Sequence, residues 1–163
     1  MTLINYNREE EEEKLFSFTL LMGDAEAAFI TAAQRQGYQL VKDHSLESIE
    51  ELERYAREKQ VSFDDQTDAA LLDRMSCWFY LGEAVRKNYG GYWRFSMNPD
   101  DTSNWGQYVI EGYNNTPDAE IEPQGLFRRW TYRGYPMGAL RKSIAAYIKP
   151  QALNLDHIPN DPS

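Results

Sequence analysis

The 163-residue sequence has one cysteine, two histidines and no excess of basic charge, and each shortage removes a class of chemistry. A lone Cys77 permits no intrachain disulfide, and its place beside Trp78 in an apolar stretch predicts a buried, reduced thiol. With only His44 and His157, a histidine-rich zinc site or a Ser-His-Asp triad has little material, so neither metal nor cofactor is expected. None of the strings G-x-S-x-G, H-E-x-x-H or G-x-x-x-x-G-K-[ST] occurs. Apolar runs are broken by charged or polar residues before the roughly 18 residues needed to span a bilayer, so no membrane partner is expected. The opening MTLINYNREEEEE has neither a basic start nor a continuous apolar stretch, unlike a secretory signal, which predicts cytoplasmic residence. A net charge of −9 disfavours nucleic acid and anionic membrane as partners and favours a basic one.

What the chain does have is apolar area. Hydrophobic residues make up 42% and aromatic ones 13%, enough to bury a core and to exclude a disordered chain. The length predicts one domain over 1–163: a helical part over about 1–60, a helix-sheet-helix module over 62–150 and a tail over 151–163. The charge is uneven. Residues 1–90 hold 18 acids and 10 bases; residues 94–122 hold six acids and one base, whereas 126–149 hold six bases and no acid, which predicts two faces of opposite sign.

Asn7 followed by Glu10 matches a capping box, and Glu9–Glu13 suit the first turns of a helix, where the dipole favours negative charge. Residues 15–22 fit either continuation, because Phe16, Phe18 and Leu20 alternate with polar residues as they would in a strand. Gly23-Asp24 predicts a break, with a second helical stretch over Ala25–Gln36 closed by Gly37. Ser45 opens another, carrying Leu46, Ile49, Leu52 and Ala56 on one stripe. Ser62 or Asp65 then caps a long helix on which Leu71, Met75, Trp78, Gly82, Val85 and Tyr89 recur at spacings of three and four. Gly82 weakens that helix by about 1 kcal/mol relative to Ala and so marks a close approach of another element. After Gly90-Gly91 the period changes. Tyr92–Met97 and Gln107–Tyr113 read as an antiparallel pair, Leu126–Tyr132 as a third strand, and Met137–Lys149 as a closing helix stopped by Pro150, with a frayed tail beyond Leu155. The fold class is α+β: amino-terminal helices, a small antiparallel sheet and a closing carboxy-terminal helix.

Few residues offer chemistry. Asp64, Asp65 and Asp68 could share a divalent cation, but at a helix start they serve as ordinary caps. Glu83 is a candidate acid or base if a cleft adjoins it; pairing with Lys87 one turn on is the duller alternative. Arg128-Arg129-Trp130-Thr131-Tyr132-Arg133 mixes bases with aromatics, yet strand alternation would turn Trp130 and Tyr132 inward and the arginines outward, and the net charge opposes nucleic acid.

Tyr80-Leu81-Gly82-Glu83, Arg86-Lys87-Asn88, Gly90-Gly91 and Trp93 together resemble a module of small uncharacterised bacterial proteins, and Pro136, Lys142 and the last helix resemble its closing segment. The resemblance covers about 67–149 and implies helix, small sheet and helix. Some similar proteins accompany toxins and look like immunity proteins; no agreed catalytic set carries over. The expectation is therefore a noncatalytic protein that neutralises a toxin or other basic protein partner by occlusion. Asp100, Asp101, Glu111, Asp118, Glu120 and Glu122 would steer that partner, with Trp105 and Tyr113 as anchors. Two alternatives stand beside it: a small enzyme or ligand-binding domain with Glu83, Arg94 and Arg128 around a pocket, and an oligomeric accessory protein.

Overall fold

The computed structural model describes residues 2–148. It has the α+β architecture: α1 (Arg8–Arg35), α2 (Ser48–Glu58), α3 (Asp68–Tyr89), β1 (Tyr92–Phe95), β2 (Tyr108–Glu111), β3 (Glu120–Ile121), α4 (Pro123–Tyr132) and α5 (Ala139–Ile148). The Pro150 stop and the tail beyond Leu155 lie outside the described residues.

Helix α3 is the central pillar. Every residue from Ser76 to Val85 except Glu83 is buried, so this segment is covered on all sides rather than along one stripe. The expected core positions Trp78, Gly82 and Val85 are inside, whereas Leu71, near the outer end, is 42% exposed. Thr67 caps the helix by accepting the Ala70 N–H. Ser62 and Asp65 instead stabilise the turn before it, accepting from Asp64 and Thr67. Cys77 is fully buried, and burial raises its thiol pKa well above the ordinary value.

The exit from α3 demands glycine. Gly90 and Gly91 have φ of +83° and +92°, and a Cβ on Gly91 would lie 2.7 Å from the Glu111 carbonyl oxygen. The chain then enters a three-stranded antiparallel sheet in the order β1-β2-β3. Tyr92 pairs with Glu111 and Phe95 with Tyr108, while Ile110 pairs with Ile121. Val109, Ile110 and Ile121 are buried, with Ile110 and Ile121 in the main core and β2 lying against α3 and α4.

Three expectations are corrected. First, no break occurs at Gly23-Asp24: α1 runs for 28 residues, because Leu15, Met22, Glu26, Ile30 and Ala33 form one buried row across the glycine, and the choice left open for residues 15–22 resolves to helix. Second, Leu126–Tyr132 is helix rather than strand. Pro123 occupies the first turn, Glu122 accepts the Gly125 N–H at 2.6 Å, and Leu126, Phe127, Trp130 and Thr131 are buried at helical spacing. Third, α2 starts at Ser48; Ser45 belongs to the preceding turn, where its carbonyl accepts from Ser48. In α5, Leu140, Ile144 and Ile148 are buried, but Ala145 faces out.

Two buried carboxylates tie the helices together. Glu53, on the apolar face of α2, accepts the N–H groups of Gly138 (2.8 Å) and Leu140 (3.2 Å) and so holds the start of α5. Glu26 of α1 contacts His44 Nε2 at 2.8 Å. His44 has φ of +54°, its ring lies against Tyr80, and the Tyr80 hydroxyl donates to Ser48 Oγ and accepts the Val41 N–H. This cluster joins α1, α2 and α3 inside the core.

Candidate functional site

Three regions need testing as a working site: the Glu83 junction, the acidic loops, and the outward side of α1. At the junction, Gly82 has no side chain and the Trp93 ring of β1 occupies the space, stacked flat on Phe79 with centroids 5.4 Å apart. That position lets the Trp93 indole N–H donate to Glu83 Oε2 at 3.1 Å. Arg86 donates from Nε and Nη2 to the two Glu83 oxygens at 2.7 and 3.0 Å, a forked ion pair. Burial opposes ionisation of Glu83, but the Arg86 and Trp93 hydrogen bonds outweigh it and hold the carboxyl below its usual pKa. A carboxylate so held is a poor proton donor near neutrality, and both oxygens are already engaged. Lys87, the expected partner, instead donates to the Lys42 carbonyl at 3.0 Å.

Arg94 and Arg128 do not join Glu83. Arg94 lies between Glu12 and Glu111, with nitrogen to oxygen distances of 3.5 Å to each. Arg128 is exposed on α4. No hydrogen bond or ion pair links any two of Glu83, Arg94 and Arg128, and Arg94 lines a crevice with Arg8, Glu111 and Asp118.

The six loop acids divide. Glu111 accepts from Tyr92 at 2.6 Å and pairs with Arg94; Glu120 accepts from Ser96 (2.9 and 3.0 Å) and Asn104 (3.2 Å); Glu122 caps α4. Burial raises the Glu122 pKa, with the Gly125 N–H and the nearby arginines acting against it. These three carboxylates hold the fold together. Asp100, Asp101 and Asp118 are exposed, although Asp101 also accepts from Ser103. Trp105 is half-buried and donates to the Ile4 carbonyl, and Tyr113 is only 4% exposed, so Tyr113 belongs to the core and cannot anchor a partner. Glu111 and Asp118 meet Arg8 and Arg94 in a polar crevice of about 180 Å³. Asp64, Asp65 and Asp68 also separate, Asp65 turning back to Thr67 and Asp64 accepting from Tyr132.

The region that stands out is one the sequence left divided between a solvated helix end and an ambiguous strand. In a continuous α1, Glu9, Glu13, Phe16 and Leu20 recur at spacings of four, three and four and so share one face, rotated away from the core row. Phe16 is 65% exposed and Leu20 58%, unusually open for large apolar side chains so close together. Glu11 pairs with Lys14 and Glu12 with Arg8 and Arg94, whereas Glu9, Glu10 and Glu13 face solvent without an ion pair among the described residues. Arg8 donates to the Phe95 and Met97 carbonyls at 3.4 and 3.3 Å, fixing the acidic start of α1 beside the loop that carries Asp100 and Asp101. Unpaired negative charge thus runs directly into exposed apolar surface.

By length and composition α1 is also the one helix among the described residues apolar enough to cross a membrane. Asp24 and Glu26 interrupt its apolar stretch, and Leu15, Met22, Ile30 and Ala33 are packed into the protein core. No protein-family model matches the chain, and neither a curated protein nor a solved structure matches it.

Proposed function

We propose that this is a noncatalytic binding protein of the immunity type, which occludes a basic protein partner such as a toxin through the outward stripe of α1. The observation that carries this reading is the juxtaposition of unpaired Glu9 and Glu13 with exposed Phe16 and Leu20 on one face of one rigid helix. The acids, with Asp100 and Asp101 at the same end, attract and orient a basic surface and so raise the association rate. Phe16 and Leu20 supply the apolar area that a bound partner desolvates, which slows release. A helix held along its full inner row to α3 and β1 presents that face preformed, so little ordering entropy is lost on binding. The state of Glu83, ionised and doubly engaged, works against the reading of a small enzyme centred on it.

The test is co-purification with the product of the neighbouring gene. Glu9→Lys/Glu13→Lys should abolish the complex at moderate salt, while Arg128→Glu on α4 should leave it intact. Retention of the complex by the α1 reversal, or failure of the neighbouring protein to bind at all, rejects the proposal.

A further inference from the structure

On the opposite flank of α1 a second feature has no role in the stripe. Ala25 and Ala28 of α1 face Ala69 and Leu72 of α3, and these small or outward-turned side chains leave a groove of about 510 Å³ between the two helices. That volume is in the range of small-molecule sites, which extends from about 300 to about 1,000 Å³. The floor is polar. Tyr55 of α2, packed edge-on against Phe29 and Tyr38, donates its hydroxyl to Asp73 Oδ1 at 2.6 Å. Among the described residues no lysine or arginine nitrogen lies within 4.0 Å of the Asp73 carboxylate, in contrast to Glu11, Glu12, Glu51, Glu83 and Glu111. Burial raises the pKa of Asp73, with the Tyr55 hydrogen bond and the more distant charge of Lys59 acting against it, as expected where a carboxylate is partly removed from water without a cation in direct contact.

We propose that this groove binds a small primary alkylammonium ligand, its charged nitrogen on Asp73 and its apolar chain along Ala25, Ala28, Ala69 and Leu72. The chemistry follows from the lining. Tyr55 is committed as a donor to Asp73, so the free capacity at the floor is that of an acceptor with negative charge, which selects a cationic donor. The walls are the apolar side chains of Ala25, Ala28, Phe29, Ala69 and Leu72, with Ser76 the one polar residue besides Tyr55 and Asp73, a lining that favours a hydrocarbon body over a hydroxyl-rich ligand. An ammonium in direct contact also offsets the penalty of a half-buried carboxylate whose nearest opposing charge, Lys59, lies beyond ion-pair distance, which neither a neutral alcohol nor a carboxylic acid can do. The groove is independent of the α1 stripe, so the two proposals stand or fall separately.

The experiment is titration of the ¹⁵N-labelled protein with n-hexylamine, protonated at pH 7.5, followed by amide chemical shifts, with n-hexanol and hexanoate as neutral and anionic controls of the same chain length. The expected result is saturable shifts confined to residues around 25–29 and 69–76 for the amine, at least tenfold weaker binding of the alcohol, and no saturable response to hexanoate. Asp73→Asn should weaken the amine at least tenfold. Leu72→Lys, at a position 53% exposed and therefore tolerant of substitution, should do the same by placing a tethered ammonium over the groove. Equal binding of amine and hexanoate, full affinity in Leu72→Lys, or shifts elsewhere on the molecule overturns the proposal.

Discussion

Gly82→Ala and Gly23→Ala are the same chemical change in two helices, and the structure assigns them opposite signs. In each the helix gains propensity, about 0.5–1 kcal/mol for Ala over Gly in a helix interior. At Gly23 a Cβ meets nothing within 4 Å and the residue is exposed, so the gain is realised in full. At Gly82 the added carbon would lie 2.5 Å from Trp93 Cζ2 and 3.1 Å from Pro123 Cγ, so something must move. Trp93 has little freedom to do so, because its ring is stacked on Phe79 and its indole N–H is bonded to Glu83. Overpacking of a well-filled core costs about 1–3 kcal/mol, and a held ring belongs in the upper half of that range. Subtracting the propensity gain leaves Gly82→Ala about 1–2.5 kcal/mol less stable than wild type, against a gain of about 0.5–1 kcal/mol for Gly23→Ala. Urea titration followed by tryptophan fluorescence measures both, with equal m values required for the comparison. Trp93→Phe in the Gly82→Ala background removes the clashing atoms and should recover part of the loss through a non-additive coupling. Stabilisation by Gly82→Ala equal to that of Gly23→Ala would refute the close approach of β1 to α3.

Glu53→Gln keeps the size of the side chain but weakens its hold on the two N–H groups at the start of α5, a loss of about 1–3 kcal/mol measured by denaturant titration. Burial raises the folded pKa of Glu53, with the Gly138 and Leu140 N–H groups opposing it. The folded state therefore binds the proton more tightly than the unfolded one, and wild-type stability falls as pH rises from the unfolded value of about 4.3 through the raised folded one. The Gln variant should lack that contribution to the pH profile. Glu83 has the opposite sign: its lowered pKa gives stability that is present above about 4.3 and lost as pH falls through the folded value. Glu83→Gln should cost about 1–2 kcal/mol at pH 7, at the low end for a charged hydrogen bond because Arg86 is partly solvated, and should flatten the acid limb of the stability curve.

The parts of the fold legible in the sequence are those where one strong local signal decides. Asn7 and the glutamates mark the start of α1, the Gly90-Gly91 pair marks the turn into the sheet, and richness in aromatic and β-branched residues marks β1 and β2. Gly82 announced a close neighbour, and Trp93 is that neighbour. The errors arise where a local signal competes with packing. Gly23-Asp24 resembles a helix end, but Met22 and Glu26 are buried on the same row, and tertiary contact carries the helix through. In Leu126–Tyr132 the alternation of Trp130 and Tyr132 with arginines imitates a strand; the deciding signal is upstream, in the Glu122-Pro123 start and the fit of Leu126, Phe127 and Trp130 to a helical stripe. The third strand is the two-residue Glu120–Ile121, too short for any periodicity to show. The loop acids looked alike in one dimension. Only in three dimensions do Glu111 and Glu120 turn to Tyr92, Arg94, Ser96 and Asn104 of neighbouring segments and Glu122 to the start of its own helix, leaving Asp100, Asp101 and Asp118 outside. The α1 stripe could have been found by spacing alone, had α1 been read as one helix.

The most direct test of the account is the affinity of the neighbouring gene's product for wild type and for Phe16→Ser/Leu20→Ser, measured by calorimetry at two salt concentrations. Both side chains are more than half exposed, so the double variant should keep its folding stability to within about 0.5 kcal/mol. Binding should nonetheless weaken at least thirtyfold, the loss of about 2 kcal/mol or more that marks a central apolar anchor. Wild-type affinity should fall with salt, and Glu9→Lys/Glu13→Lys should remove most of that dependence. Unchanged affinity in the folded Phe16→Ser/Leu20→Ser variant would contradict the assignment of α1 as the binding surface.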